Sequence, residues 1–125
     1  LDLNSRAIAT LSQRARSGKL IALVADRDLS QSGVEVNLAG ATAKFPAGPA
    51  LLAVQTGAAL ITAYIRYEEK GIRIIFGGEI EVPTAGDNSS KVKSMTQEVA
   101  NRFEKELKKD PTDWHMLQRI WPDLP

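Results

Sequence analysis

Residues 20–28 read Leu-Ile-Ala-Leu-Val-Ala-Asp-Arg-Asp. Six apolar residues run without interruption and then give way to three charges. The length and the Ile/Val content suit a buried strand with both faces covered, the habit of parallel sheets. A Gly-Lys turn, residues 18–19, precedes the run. Before that turn, residues 5–17 carry Ile8, Leu11 and Ala15 at helical spacing, with Arg6, Gln13, Arg14 and Arg16 on the other face. Helix, tight turn, buried strand and a charged strand end make an α/β pattern. Ligands in such sheets collect at the carboxyl ends of the strands.

Downstream, residues 29–33 read as a polar turn. Residues 34–38 alternate apolar and polar, as a short strand or an extended loop would, and residues 39–44 are small and turn-like. Phe45-Pro46-Ala47-Gly48-Pro49 feeds an apolar helix over 50–56 that stops at Gly57, with Pro49 suited to its first turn. Residues 59–67 are apolar and β-rich and predict a central strand. Residues 68–71 predict a hairpin turn, and 72–76 the return strand. After Gly77-Gly78, residues 79–82 alternate again, and 84–90 form a polar loop. Val92, Met95, Val99, Phe103 and Leu107 place a long helix over 91–109, ended by Asp110-Pro111. A last short helix is expected over 112–121. No repeat or domain boundary interrupts the chain, so residues 1–125 are expected to belong to one domain.

Composition narrows the function. The 125 residues include 16 Lys+Arg against 15 Asp+Glu, a net charge of +1, so bulk charge gives no reason to expect a nucleic-acid partner. There is no cysteine, which removes disulfides, thiolate metal sites and cysteine nucleophiles. A single histidine, His115, cannot build a His-rich metal cluster, and a structural role is expected for it. No apolar run reaches the roughly 18–20 residues of a membrane-spanning helix. P-loop, G-x-S-x-G and G-x-G-x-x-G motifs do not occur. The chain opens on Leu1, and a natural N-terminal portion is expected to lie before it.

The candidate site residues each admit two readings. Asp26, Arg27 and Asp28 are either an active-site edge, with a carboxylate to orient a reacting group and an arginine for an anionic ligand, or a solvated turn. Glu35 is an exposed strand position, or a second acid near Asp26. Pro46 and Gly48 belong to a plain loop-to-helix turn, or let a ligand phosphate approach a helix N-terminus. Trp114 and Trp121 suit a core, an interface or a membrane-facing edge. The basic face of 91–109 suits a membrane surface or, because Glu98, Glu104 and Glu106 dilute it, a solvated outer helix, which is the favoured reading.

Three stretches add to this: LVADRDLSQSGVEV at 23–36, AKFPAGPALLAVQTGAALI at 43–61 and DPTDWHMLQRIWPDL at 110–124. Together they resemble the bacterial lysophospholipid acyltransferase superfamily, in its lipid A lauroyl acyltransferase branch and nearest to actinobacterial members. The resemblance covers nearly the whole chain. It implies the C-terminal portion of a glycerol-phosphate-acyltransferase-like α/β fold, a mixed sheet flanked by helices. It also implies fatty acyl transfer from acyl-CoA or acyl carrier protein to a sugar hydroxyl of a membrane glycolipid, at the cytoplasmic face of the plasma membrane, with no cofactor beyond that co-substrate. The family's base is the histidine of a His-x4-Asp motif. His115 is followed by Ile120 at the Asp position, so the motif is absent here and is expected in a missing N-terminal portion. The acid that pairs with that histidine falls on Asp26, one methylene shorter than the glutamate expected in nearby relatives. Arg27 and Asp28 then shape the site, and the Pro46–Gly48 turn lies near the acyl or glycolipid groove. Alone, the chain is expected to be inactive and prone to self-association. The rival reading is a self-contained, non-catalytic binding or assembly module.

Overall fold

A computed structural model describes residues 5–28, 30 and 32–124. Helix α1, Ser5–Arg16, ends at Gly18, whose φ of 75° is the left-handed stop expected there. It is moored to the next helix in the chain through Ser12 Oγ, which donates to Gln55 Oε1 (3.4 Å), and Arg16 Nη2, which donates to the Gln55 carbonyl (3.1 Å).

The run at 20–25 is extended, but it is not the buried parallel strand its composition predicts. Ile21, Leu23 and Ala25 turn inward, while Leu20 and Val24 stand 96% and 83% exposed. The first sheet-like bond comes only at Asp28, whose N–H donates to the Lys44 carbonyl (3.0 Å). An apolar run specifies burial, but a strand also needs neighbours for its N–H and C=O groups. Among the described residues none pairs with 20–25, because both sheets are antiparallel hairpins.

The first hairpin joins β1, Val34–Leu38, to β2, Ala41–Phe45, in the register Val34↔Phe45 to Leu38↔Ala41. Residues 39–44 are therefore mostly strand, not turn. Small alanines at 41 and 43 conceal an alternation in which Ala43 and Phe45 point to the core. The turn is Ala39-Gly40, with φ of 54° and 85°, the double positive φ of a type I′ hairpin. A side chain with a Cβ is disfavoured at that first position, and Asn tolerates it better than Ala. Ala39→Asn should raise stability by about 0.5–1 kcal/mol in chemical denaturation; an unchanged midpoint would show the turn to be unstrained.

Helix α2, Gly48–Thr56, opens two residues before the expected 50–56, with Pro49 in its first turn and the left-handed Gly57 at its end, as the sequence indicates. The second hairpin pairs β3, Leu60–Glu68, with β4, Gly71–Ile80. β4 runs through Gly77-Gly78 rather than breaking there. Two residues face Thr62 at that point, a bulge between the pairs Ile61↔Glu79 and Ala63↔Phe76. A Cβ on Gly77 would lie 2.5 Å from Thr62 Oγ1, so a side chain is excluded where the strands crowd. β3 is not a central strand among the described residues, since β4 is its single partner. The outer face of this sheet, with Ile61, Ile65, Tyr67, Ile72, Ile74 and Phe76, is exposed.

Helix α3, Asn88–Leu107, is capped by Asp87, whose carboxylate accepts from the Ser90 N–H (2.8 Å). That hydrogen bond holds the Asp87 carboxyl below its ordinary value. Val92, Met95 and Val99 of α3 bury against Val36, Leu38 and Phe45 of the first hairpin, and this is the centre of the core. After α3 the chain makes one 3-10 turn, Pro111–Asp113, and then runs irregularly to its end. The helix expected over 112–121 does not form. The two indoles dock on separate partners: Trp114 Nε1 donates to Asp26 Oδ2 (3.1 Å) and Trp121 Nε1 to the Leu38 carbonyl (2.9 Å). Those anchors and the edge-to-face packing of the rings, 6.1 Å apart, replace helical bonds. The α/β character holds, as helices and strands alternate, but as two antiparallel hairpins crossed by α3.

Candidate active site

Asp26 sits where the extended run ends, in a cleft of about 350 Å³. Leu23, Leu38, Phe45, Ile65, Phe103 and Leu107 make most of its wall apolar, while Asp26, Tyr64 and Asp113 supply polar groups. An apolar cleft with a few convergent polar groups is the usual form of a small-molecule site. The two oxygens of Asp26 are unlike. Oδ2 accepts from Trp114 Nε1 at 3.1 Å and lies 3.9 Å from Arg27 Nη1. Oδ1 is buried and has no hydrogen-bond partner among the described residues. A buried carboxylate oxygen without a donor is costly, so its presence points to a group that completes it.

Tyr64 Oη, on the same cleft, is likewise buried without a hydrogen-bond partner among the described residues. Its ring packs against Phe103 at 6.4 Å, and the Arg66 guanidinium lies 5.5 Å from the ring centre. Arg66 is held in turn by the backbone carbonyl and the carboxylate of Glu106. Burial pushes the Tyr64 phenol above its ordinary value, so at neutral pH it is a hydrogen-bond donor and not a base.

Arg27 turns away from this cleft, its Nη1 3.9 Å from Met116 Sδ. With Lys44 and Arg119 it lines a second, smaller cleft of about 310 Å³ that also touches Asp28 and Ser30. Asp28 is engaged within its own loop: its Oδ1 accepts from the Ser30 N–H (2.6 Å) and its N–H donates to Lys44. Gly33 is required beside it, since a Cβ there would lie 2.8 Å from the Asp28 carboxylate. Glu35 faces solvent from β1, across from Lys44, and lines neither cleft. Pro46 lies in the β2–α2 turn and Gly48 opens α2, and they likewise line neither; their neighbour Pro49 borders a third, apolar cleft of about 660 Å³. That third cleft shares Leu23, Ala25, Ala63 and Phe103 with the first, so the two adjoin along the extended run. The structure thus brings Asp26 to an apolar cleft and Arg27 with Asp28 to a basic one. His115 serves neither: its exposed ring meets Tyr67 edge-on at 6.3 Å.

Two residues of the site escape the sequence reading. Trp114 is readable only as core, interface or membrane edge, although a buried indole N–H always needs an acceptor, and Asp26 is one. Tyr64 is hidden inside an apolar strand, where its ring looks like packing.

The sequence profile of the bacterial lipid A biosynthesis acyltransferases matches residues 2–122. A phosphatidylinositol mannoside acyltransferase of Mycobacterium tuberculosis is 40% identical over 111 residues, which is 89% of this chain and 34% of that protein. One from Mycolicibacterium smegmatis is also 40% identical over 111 residues, covering 89% of this chain and 35% of its own length. The chain spans about a third of the length of these relatives. With nearly every residue inside the matched region, the chain belongs to the bacterial lipid A biosynthesis acyltransferase family.

Proposed function

We propose that the protein carrying this chain transfers a fatty acyl group from acyl-CoA to a mannose hydroxyl of phosphatidylinositol mannoside, at the cytoplasmic face of the plasma membrane. The observation that carries the reading is the uncommitted Oδ1 of Asp26 on an apolar cleft. A carboxylate so placed accepts the N–H of an imidazole, fixes its tautomer and leaves the other nitrogen to remove a proton. That histidine belongs to a part of the protein outside these 125 residues. In the reaction the acceptor hydroxyl oxygen bonds to the thioester carbonyl carbon as its proton passes to the imidazole. The carbon–sulfur bond then breaks, and the thiolate leaves with that proton. The adjoining apolar clefts suit the acyl chain. The cleft with Arg27, Lys44 and Arg119, shaped by Asp28, suits an anionic group of donor or acceptor.

The 40% identity to relatives named for phosphatidylinositol mannoside supports this acceptor, and the family's description supports a lipid A-type acceptor as the alternative. The bare β3–β4 face and the exposed side of 20–25 are where the rest of the same protein packs. The chain alone self-associates through them. The test supplies the complete protein with acyl-CoA or acyl carrier protein, and with phosphatidylinositol mannoside or a lipid A precursor, and weighs the products by mass spectrometry. Acylated phosphatidylinositol mannoside formed from acyl-CoA is expected. Transfer solely to the lipid A precursor would refute the acceptor, and a product seen solely with the carrier protein would refute the donor. No transfer to either acceptor would favour a binding or assembly module.

A further inference from the structure

We propose that Trp114 is a positioning residue that sets the orientation of Asp26, an inference that rests on the acyltransferase reading above. Its indole N–H is a donor and nothing else, so it holds Oδ2 (3.1 Å) without competing for the proton that the site moves. The bond is charge-assisted and directional. Arg27, at 3.9 Å from the same oxygen, is too far for a hydrogen bond and adds only its charge. With Oδ2 held in this way, Oδ1 is left as the oxygen for an incoming imidazole. Trp114 is itself fixed: its ring meets Trp121 edge-to-face, and Trp121 is tied to the Leu38 carbonyl on β1. The irregular tail thus links the core hairpin to the end of the extended run, across 88 residues of sequence between Asp26 and Trp114.

The experiment measures kcat and KM for acyl transfer in the complete protein and in its variants Trp114→Phe, Asp26→Asn, the double variant, and Trp121→Phe. Trp114→Phe is expected to lower kcat on the order of tenfold with KM little changed, because a loosened carboxylate misaligns the reacting groups without weakening substrate binding. In the Asp26→Asn background the same change is expected to add nothing. Trp121→Phe loosens the support behind Trp114 while leaving the bond to Asp26 in place, and is expected to lower kcat by less than Trp114→Phe does. Placing 3-benzothienylalanine at position 114 deletes the N–H alone and keeps the ring's shape; it should reproduce the loss even where Trp114→Phe folds poorly. The inference fails if the benzothienyl variant turns over like the parent, or if the two losses multiply in the double variant. If Asp26→Asn itself keeps full turnover, the orienting role of Asp26 falls, and this inference with it. If Asp26→Asn is inactive while both Trp114 variants are unimpaired, only the role of Trp114 falls.

Discussion

Asp26→Asn in the complete protein is expected to lower turnover by about 10³–10⁴-fold, the loss that follows if the proposed imidazole-orienting carboxylate becomes an amide. The exchange is nearly isosteric, so packing against Trp114 is retained. Two things change. The charge that stabilises a protonated imidazole disappears. The amide also offers either a donor or an acceptor to the imidazole, which permits the wrong tautomer. The buried position of Oδ1 makes the effect large, because a polar interaction made in apolar surroundings is costly to lose. Initial-rate kinetics on the purified complete protein measure it, with circular dichroism to establish that the fold is kept. A loss smaller than about tenfold would place Asp26 outside the reacting machinery.

The second large effect is on stability. Phe45→Ala should cost about 3–5 kcal/mol in denaturant unfolding, the range for emptying a buried phenylalanine site. Phe45 is 1% exposed, closes β2 opposite Val34, and packs against Phe103 with ring centres 6.1 Å apart. It also forms part of the wall around Asp26, so the substitution opens the floor of the cleft while loosening the hairpin from α3. A cost under about 1 kcal/mol would mean that α3 and the first hairpin collapse to fill the space.

Elements whose signal is local were legible from the residues. α1, α2 and α3 announce themselves by apolar spacing and by Gly18, Gly57 and Asp110-Pro111. The second hairpin is written in its turn. Elements that depend on partners were not. The run at 20–25 has the composition of a buried strand, but composition cannot supply the neighbouring backbone, and among the described residues the run pairs with no strand. β2 was hidden because alanine at 41 and 43 carries little of the apolar contrast on which period-two reading depends. The tail after Pro111 has helical spacing on paper and loses it to two indole hydrogen bonds that span more than 80 residues each. The site followed the same division. Asp26, Arg27 and Asp28 stand out as charges after an apolar run. Whether Arg27 shares a cleft with Asp26 depends on the fold, and it does not. Glu35 shows how little alternation alone says about a site, since its exposed place on β1 is what alternation predicts. Trp114 could not be paired with Asp26 from sequence, because nothing local joins them.

The edge-to-face indole pair carries a consequence for measurement. Trp114 and Trp121 are the two tryptophans of these 125 residues, and their planes stand at 82° with centres 6.1 Å apart. Two strong transition dipoles so close and so inclined couple, and the coupling produces paired bands of opposite sign in circular dichroism. The emission of Trp114 should also respond to the carboxylate against its N–H. The clamp on Asp26 is therefore its own optical probe: a donor group arriving at the free oxygen should register in the spectrum of an indole that never touches it.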